Sequence, residues 1–159
     1  MRVINCARYS GVHFLNNDYF SLISGKDRID IYGMWAKLDY YKDEITGYKG
    51  VRPFKIDDIK ELIDNSNPHI FNILMAHNPQ WLDTYAEWGA DLVFSGHNHG
   101  GAVRIPYLGG VFSPERTFFP KYDLGIFTKK NTTMIVSGGT GGIRLFNPPQ
   151  LVVTELRSK

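Results

Sequence analysis

The chain is poor in the features that would place it in several large classes of protein. It has one cysteine, Cys6, in 159 residues. A lone thiol excludes an internal disulfide and any zinc knuckle built from paired cysteines, and it permits a reducing compartment. Charge of one sign is also scarce. Eighteen Lys and Arg stand against sixteen Asp and Glu, for a net +2. That surplus is too small to point to nucleic acid or an anionic membrane surface, and Lys129-Lys130 is only a pair. No apolar run approaches the ~20 residues of a membrane helix. Met1 to Cys6 has no signal-peptide core, so the chain as given reads as soluble. No internal repeat or low-complexity tract is present.

What the chain does have is ordinary globular material. Hydrophobic residues make up 43% and charged residues 21%, which fits one domain with a real core. The aromatic content is 14%, mostly Tyr and Phe, which suits strands and a well-filled interior.

Periodicity divides the chain into elements. Val12 to Leu15 reads as a short strand. Tyr19 to Ser24 and Arg28 to Tyr32 flank Gly25-Lys26-Asp27 and predict a hairpin. Residues 36 to 54 read mostly as loop. Ile56, Ile59, Leu62 and Ile63 recur at helical spacing. Ile70 to Ala76 is an apolar run, read as a buried strand that stops at His77-Asn78-Pro79. Pro79 suits the first turn of a helix whose face carries Trp81, Leu82, Tyr85 and Trp88, with Gly89 placed to end it. Asp91 to Ser95 is the next strand and runs into Gly96-His97-Asn98-His99-Gly100-Gly101. Residues 105 to 123 read as an ordered surface loop. Gly125 to Thr128, Thr132 to Val136 and Leu151 to Leu156 read as later strands.

The strand, helix, strand order over residues 69 to 96 fits a parallel crossover. It brings His77 and the His97-x-His99 pair to one edge of a sheet, the carboxyl edge where open α/β sheets bind ligands. Neutral imidazole is the commonest metal-binding side chain. Taken alone, each histidine also reads as an exposed turn residue or a hydrogen-bonded core residue.

The combination resembles a known family. Ala76-His77-Asn78-Pro79 and Trp88-Gly89-Ala90-Asp91-Leu92-Val93-Phe94-Ser95-Gly96-His97-Asn98-His99-Gly100-Gly101 are similar to the late motifs of calcineurin-like metallophosphoesterases. The resemblance is closest to the bacterial branch that acts on phosphodiesters or lipid-linked phosphates. Gly11 to Asn17, Phe119-Pro120-Lys121-Tyr122 and Arg144-Leu145-Phe146-Asn147-Pro148-Pro149 extend it. It implies an α/β fold, the C-terminal half of a four-layer αββα sandwich. It implies that His77 and His97 bind one metal and His99 another. The metals would be manganese, iron or zinc, and a hydroxide bridging them would attack a phosphate-ester substrate. Relatives in this branch often carry an N-terminal membrane-associating segment.

Three family motifs have no counterpart here: Asp-x-His, Gly-Asp-x-x-Asp and Gly-Asn-His-Asp. Residues 1–159 therefore read as a partial domain lacking the N-terminal metal motifs. Three neutral histidines hold at most one divalent ion, because two dications side by side need carboxylates. Nothing in the spacing of Asp18, Asp39 or Asp43 places them at the site. A gene fragment, a misassigned start and a split enzyme all fit, and self-association through an exposed sheet edge is a further expectation. Two functions follow. The chain is the C-terminal part of a dimetal phosphoesterase, or it is a non-catalytic remnant or interaction module that needs a second chain.

Other features keep two readings. Asn78 either orients a ligand or caps the helix after it, and Asn98 stands where the family more often has Thr. Arg104 and Arg144 either meet a phosphate or lie solvated on the surface. Ser137 to Gly142 is Gly-rich but lacks the Lys-Ser/Thr of a phosphate-cradling loop, and reads as a turn.

Overall fold

The computed structural model describes residues 9–41, 52–114, 117–141 and 144–157. Asp43 lies outside them. Its centre is a six-stranded mixed sheet in the order β1-β2-β3-β4-β8-β7. Strands β1 (Asp18–Ser24) and β2 (Asp27–Met34) form the expected antiparallel hairpin. β2, β3 (Phe71–Ala76), β4 (Leu92–Ser95) and β8 (Thr132–Val136) run parallel, and β7 (Gly125–Lys129) closes the far edge against β8. A two-stranded ribbon, β5 (Arg104–Ile105) with β6 (Gly109–Gly110), stands apart within the surface loop.

Two helices cover one sheet face. α1 (Ile56–Ile63) turns Ile59 and Ile63 into the core. The Asp58 carboxylate accepts a hydrogen bond from the Lys55 backbone N–H at 2.7 Å, meeting one donor at its start. A 3-10 turn (Pro79–Trp81) leads into α2 (Leu82–Trp88), which buries Leu82, Tyr85 and Trp88. Gly89 ends it at φ 103°, and a Cβ there would meet Ser66 Oγ at 2.8 Å. Trp88 Nε1 donates to the Asp64 carbonyl at 2.7 Å, which ties the two helix ends together. The aromatic stripe is core packing. Tyr32, Leu74, Val93 and Met134 meet it from the sheet.

Among the described residues, no helix covers the other sheet face. The ladder aligns Ile29 with Phe71, Met75 with Phe94, Phe94 with Ile135, and Ile126 with Ile135. Phe71, Met75 and Ile126 are exposed on it.

Two expected strands do not form. Val12 to Leu15 is coil, because no strand among the described residues pairs with it; it passes close to β2 instead, and a Cβ on Gly33 would lie 2.5 Å from Leu15 Cβ. Leu151 to Leu156 is exposed coil, although it is rich in β-branched residues. A strand exists only where a neighbour completes its ladder, and no described residue pairs with this segment. No helix among the described residues is long and apolar enough to cross a membrane.

Candidate active site

Parallel pairing of β3 and β4 decides where the histidines meet. Met75 aligns with Phe94, so both strands end at the same edge. Beyond that edge the two chain ends are stapled. Ser95 Oγ donates to the Ala76 carbonyl at 2.7 Å, and the Gly96 N–H donates to the His77 carbonyl at 3.2 Å. The rings of His77 and His97 then face each other at 4.8 Å between centroids, tilted 76°.

The turn carrying His97 and His99 has unusual backbone. His97 (φ 63°) and His99 (φ 51°) are left-handed, as are Gly100 and Gly101. Such strain in non-glycine residues is held by surrounding structure and collects at functional sites. A set of hydrogen bonds holds it here, three of them at the histidines. The Asn98 N–H donates to the Gly96 carbonyl at 2.7 Å, Asn98 Nδ2 donates to the Tyr122 carbonyl at 2.7 Å, and Asn147 Nδ2 donates to the His99 carbonyl at 2.6 Å. Gly101 is sterically required, because a Cβ there would lie 2.7 Å from Gly110 Cα.

Behind His77 the structure is equally fixed. Asn78 is fully buried and its Oδ1 accepts from the Gln80 N–H at 2.9 Å, so it does cap the turn after it. The Tyr85 hydroxyl donates to the Asn78 carbonyl at 2.7 Å. Burial pushes the Tyr85 phenol well above its ordinary pKa, so it remains a donor through the working pH range. Asn78 Nδ2 and Asn98 Oδ1 are buried with no hydrogen-bond partner among the described residues. Each is a polar atom beside a histidine with capacity to spare.

The two arginines are engaged with protein. Arg104 Nη1 donates to Asp123 Oδ2 at 2.8 Å and to the Gly100 carbonyl at 3.3 Å, which braces the histidine turn from behind. Arg144 donates to the carbonyls of Gly138 and Gly141 in the Gly-rich loop.

A cavity of about 500 Å³ opens beside the histidine pair, walled by Met34, Trp35, Leu38 and Tyr41. The Tyr41 ring lies 5.5 Å from that of His97. Sequence reading missed this wall. Residues 36 to 54 read mostly as loop, and nothing in them shows that β2 pairs parallel to β3. That pairing, Met34 beside Ala76, delivers the wall to the histidine edge.

The donor set can be tested against a two-metal centre. His77 and His97 are adjacent, and His99 is exposed on the same turn. Among the described residues, no group of three or more His, Cys, Asp or Glu converges to hold a metal ion. Two neighbouring imidazoles are two of the roughly four to six donors a divalent ion takes, and among the described residues no carboxylate completes a group of three with them. The described residues alone do not fit a two-metal centre.

Comparison with known proteins gives this edge its context. The chain is 30% identical over 109 residues to the UDP-2,3-diacylglucosamine pyrophosphatase LpxG of Chlamydia muridarum, a match covering 60% of this chain and 32% of that protein. It is 27% identical over 105 residues to the uncharacterized metallophosphoesterase YkuE of Bacillus subtilis, covering 64% of this chain and 36% of the relative. It is 29% identical over 94 residues to the phosphodiesterase YaeI of Escherichia coli, covering 57% and 34%. These similarities support a likeness to the calcineurin-like metallophosphoesterases. The chain spans about a third of the length of these curated relatives. No family model and no solved structure matches it. The mixed α/β sheet is consistent with a partial form of the metallophosphoesterase fold.

Proposed function

We propose that this chain forms part of a metal-dependent phosphoesterase that hydrolyses a phosphodiester or phosphomonoester. The observation that carries the reading is the meeting of the His77 and His97 rings at the carboxyl edge, 4.8 Å apart. His77 and His97 supply nitrogen donors to one divalent ion, and His99 supplies a donor to a second. Manganese, iron and zinc all suit imidazole. Such cations, when bound, acidify water and offset charge on phosphoryl oxygens. Asn78 and Asn98 hold the two histidine turns in place. Arg104 acts through its brace on Gly100.

The carboxylate ligands come from polypeptide outside the described residues, in the same protein or in a second chain. Two features support a completing β-layer: the uncovered apolar sheet face, and the unpaired segment after Gln150 at its rim. Gln150 is fixed there by its N–H to the Gly139 carbonyl (2.8 Å) and by its Oε1, which accepts from the Gly138 N–H (3.1 Å). By itself the chain then turns over little or nothing.

Hydrolysis of bis(p-nitrophenyl) phosphate with Mn²⁺ tests this. The chain is assayed alone and mixed with a polypeptide carrying the Asp-x-His, Gly-Asp-x-x-Asp and Gly-Asn-His-Asp motifs. Turnover is expected in the mixture, with a loss of at least about 100-fold in His77→Ala or His97→Ala. Unchanged turnover in either variant refutes the assignment.

A further inference from the structure

Tyr107, Phe119 and Phe146 come from three separate loops and share two properties. Each has left-handed backbone, at φ 68°, 51° and 57°. Each also holds its ring in water: Tyr107 is fully exposed, Phe119 is 56% exposed and Phe146 77%. Left-handed backbone in a bulky residue costs about 1–3 kcal/mol and survives only where the surroundings impose it. Exposure of the ring recovers none of that cost. Three such residues border one cavity of about 590 Å³, a volume within the range of small-molecule sites. This cavity shares no lining residue with the one beside His77 and His97.

Arg104 and Asp123 also line this cavity, joined by their 2.8 Å ion pair. The pair is internally neutral, so it does not select a charged ligand. Asp123 also accepts from the N–H groups of Gly110 and Leu124, each at 2.7 Å. A carboxylate offers about four acceptor positions and a guanidinium five N–H donors. Within the described residues, the pair therefore retains an acceptor position on Asp123 beside Nε and Nη2 donors on Arg104. Adjacent hydroxyl groups, each both donor and acceptor, match that arrangement. The aromatic faces suit the apolar side of the ring that bears them.

We propose that this cavity binds a ring carrying adjacent hydroxyls, a pyranose or a ribose. The site is independent of the reading of the histidine pair. Lys121 borders it with its ammonium 4.8 Å over the Tyr122 ring.

The test is calorimetric titration of the full 159-residue chain with methyl α-D-glucopyranoside and, separately, with adenosine. Saturable binding of at least one is expected, and the arm that binds identifies the ring. Dideoxyadenosine, lacking the hydroxyl pair, serves as control for the ribose arm, and the corresponding dideoxy glucoside for the other. Each control is expected to bind at least about tenfold more weakly. Phe119→Gly and Phe146→Gly remove a ring and relieve its backbone strain. Both variants are expected to keep or raise Tm while binding falls at least about tenfold. No saturable binding in either arm overturns the proposal, as does equal binding in the glycine variants or the controls. Association with phosphatidylglycerol vesicles that depends on these rings, without ring-ligand binding, overturns it too and makes the patch a membrane contact.

Discussion

The Tyr85 hydroxyl, at the centre of α2, donates a 2.7 Å hydrogen bond to the carbonyl of Asn78, the residue that follows His77. The helix core and the histidine turn are thus one mechanical unit. Tyr85→Phe removes the donor and leaves a buried carbonyl short of a partner. A loss of about 1–2 kcal/mol in unfolding free energy is expected, measured by urea denaturation. The His77 ring signal in the NMR spectrum should move as well, whereas a purely local packing role would leave it in place.

Gly101 should tolerate no side chain. Its φ is 86° and its neighbour in space is the backbone of Gly110, which cannot rotate away. Gly101→Ala is expected to cost at least about 2 kcal/mol and to shift the His97 and His99 resonances. Gly25→Ala is the comparison, also at positive φ but with open space around it, and should cost about 1 kcal/mol with no effect on either histidine.

Acid should weaken the β1–β2 edge. Asp30 is almost fully buried; burial pushes its carboxyl pKa up, but hydrogen bonds from Arg28 and Ser21 outweigh that and set it below the ordinary 3.8. A lowered folded-state pKa means the unfolded chain binds the proton more tightly. The stabilisation is therefore complete above about pH 4 and is lost as pH falls through the folded value. Asp30→Asn should cost about 1–3 kcal/mol at pH 7 and flatten the acid limb of a stability-against-pH curve. An unchanged acid limb would remove Asp30 from the account.

Much of this was legible from the residues. The spacing of Ile56, Ile59 and Ile63, the Pro79 start and the Gly89 stop specify both helices, because each signal is local. The hairpin at Gly25 is local too. Val12 to Leu15 and Leu151 to Leu156 misled because strand composition is only half of a strand; the other half is a partner's ladder, which composition cannot supply. The approach of His77 to His97 was legible as parallel strand ends. The exposed position of His99 was not, since it depends on left-handed backbone at His97 and His99, held by contacts to Asn147 and Tyr122 from distant loops. Arg104 was read as meeting either phosphate or solvent, and its ion pair with Asp123 again came from a contact far along the chain.

The most direct test of the central claim is a Zn²⁺ titration of the chain followed by imidazole NMR. The His77 and His97 resonances should shift together along one isotherm, and His77→Ala should abolish the response of His97. A His97 response that survives the loss of His77, or no response of either ring to millimolar metal, would contradict the claim that these two side chains form the metal-binding part of a phosphoesterase.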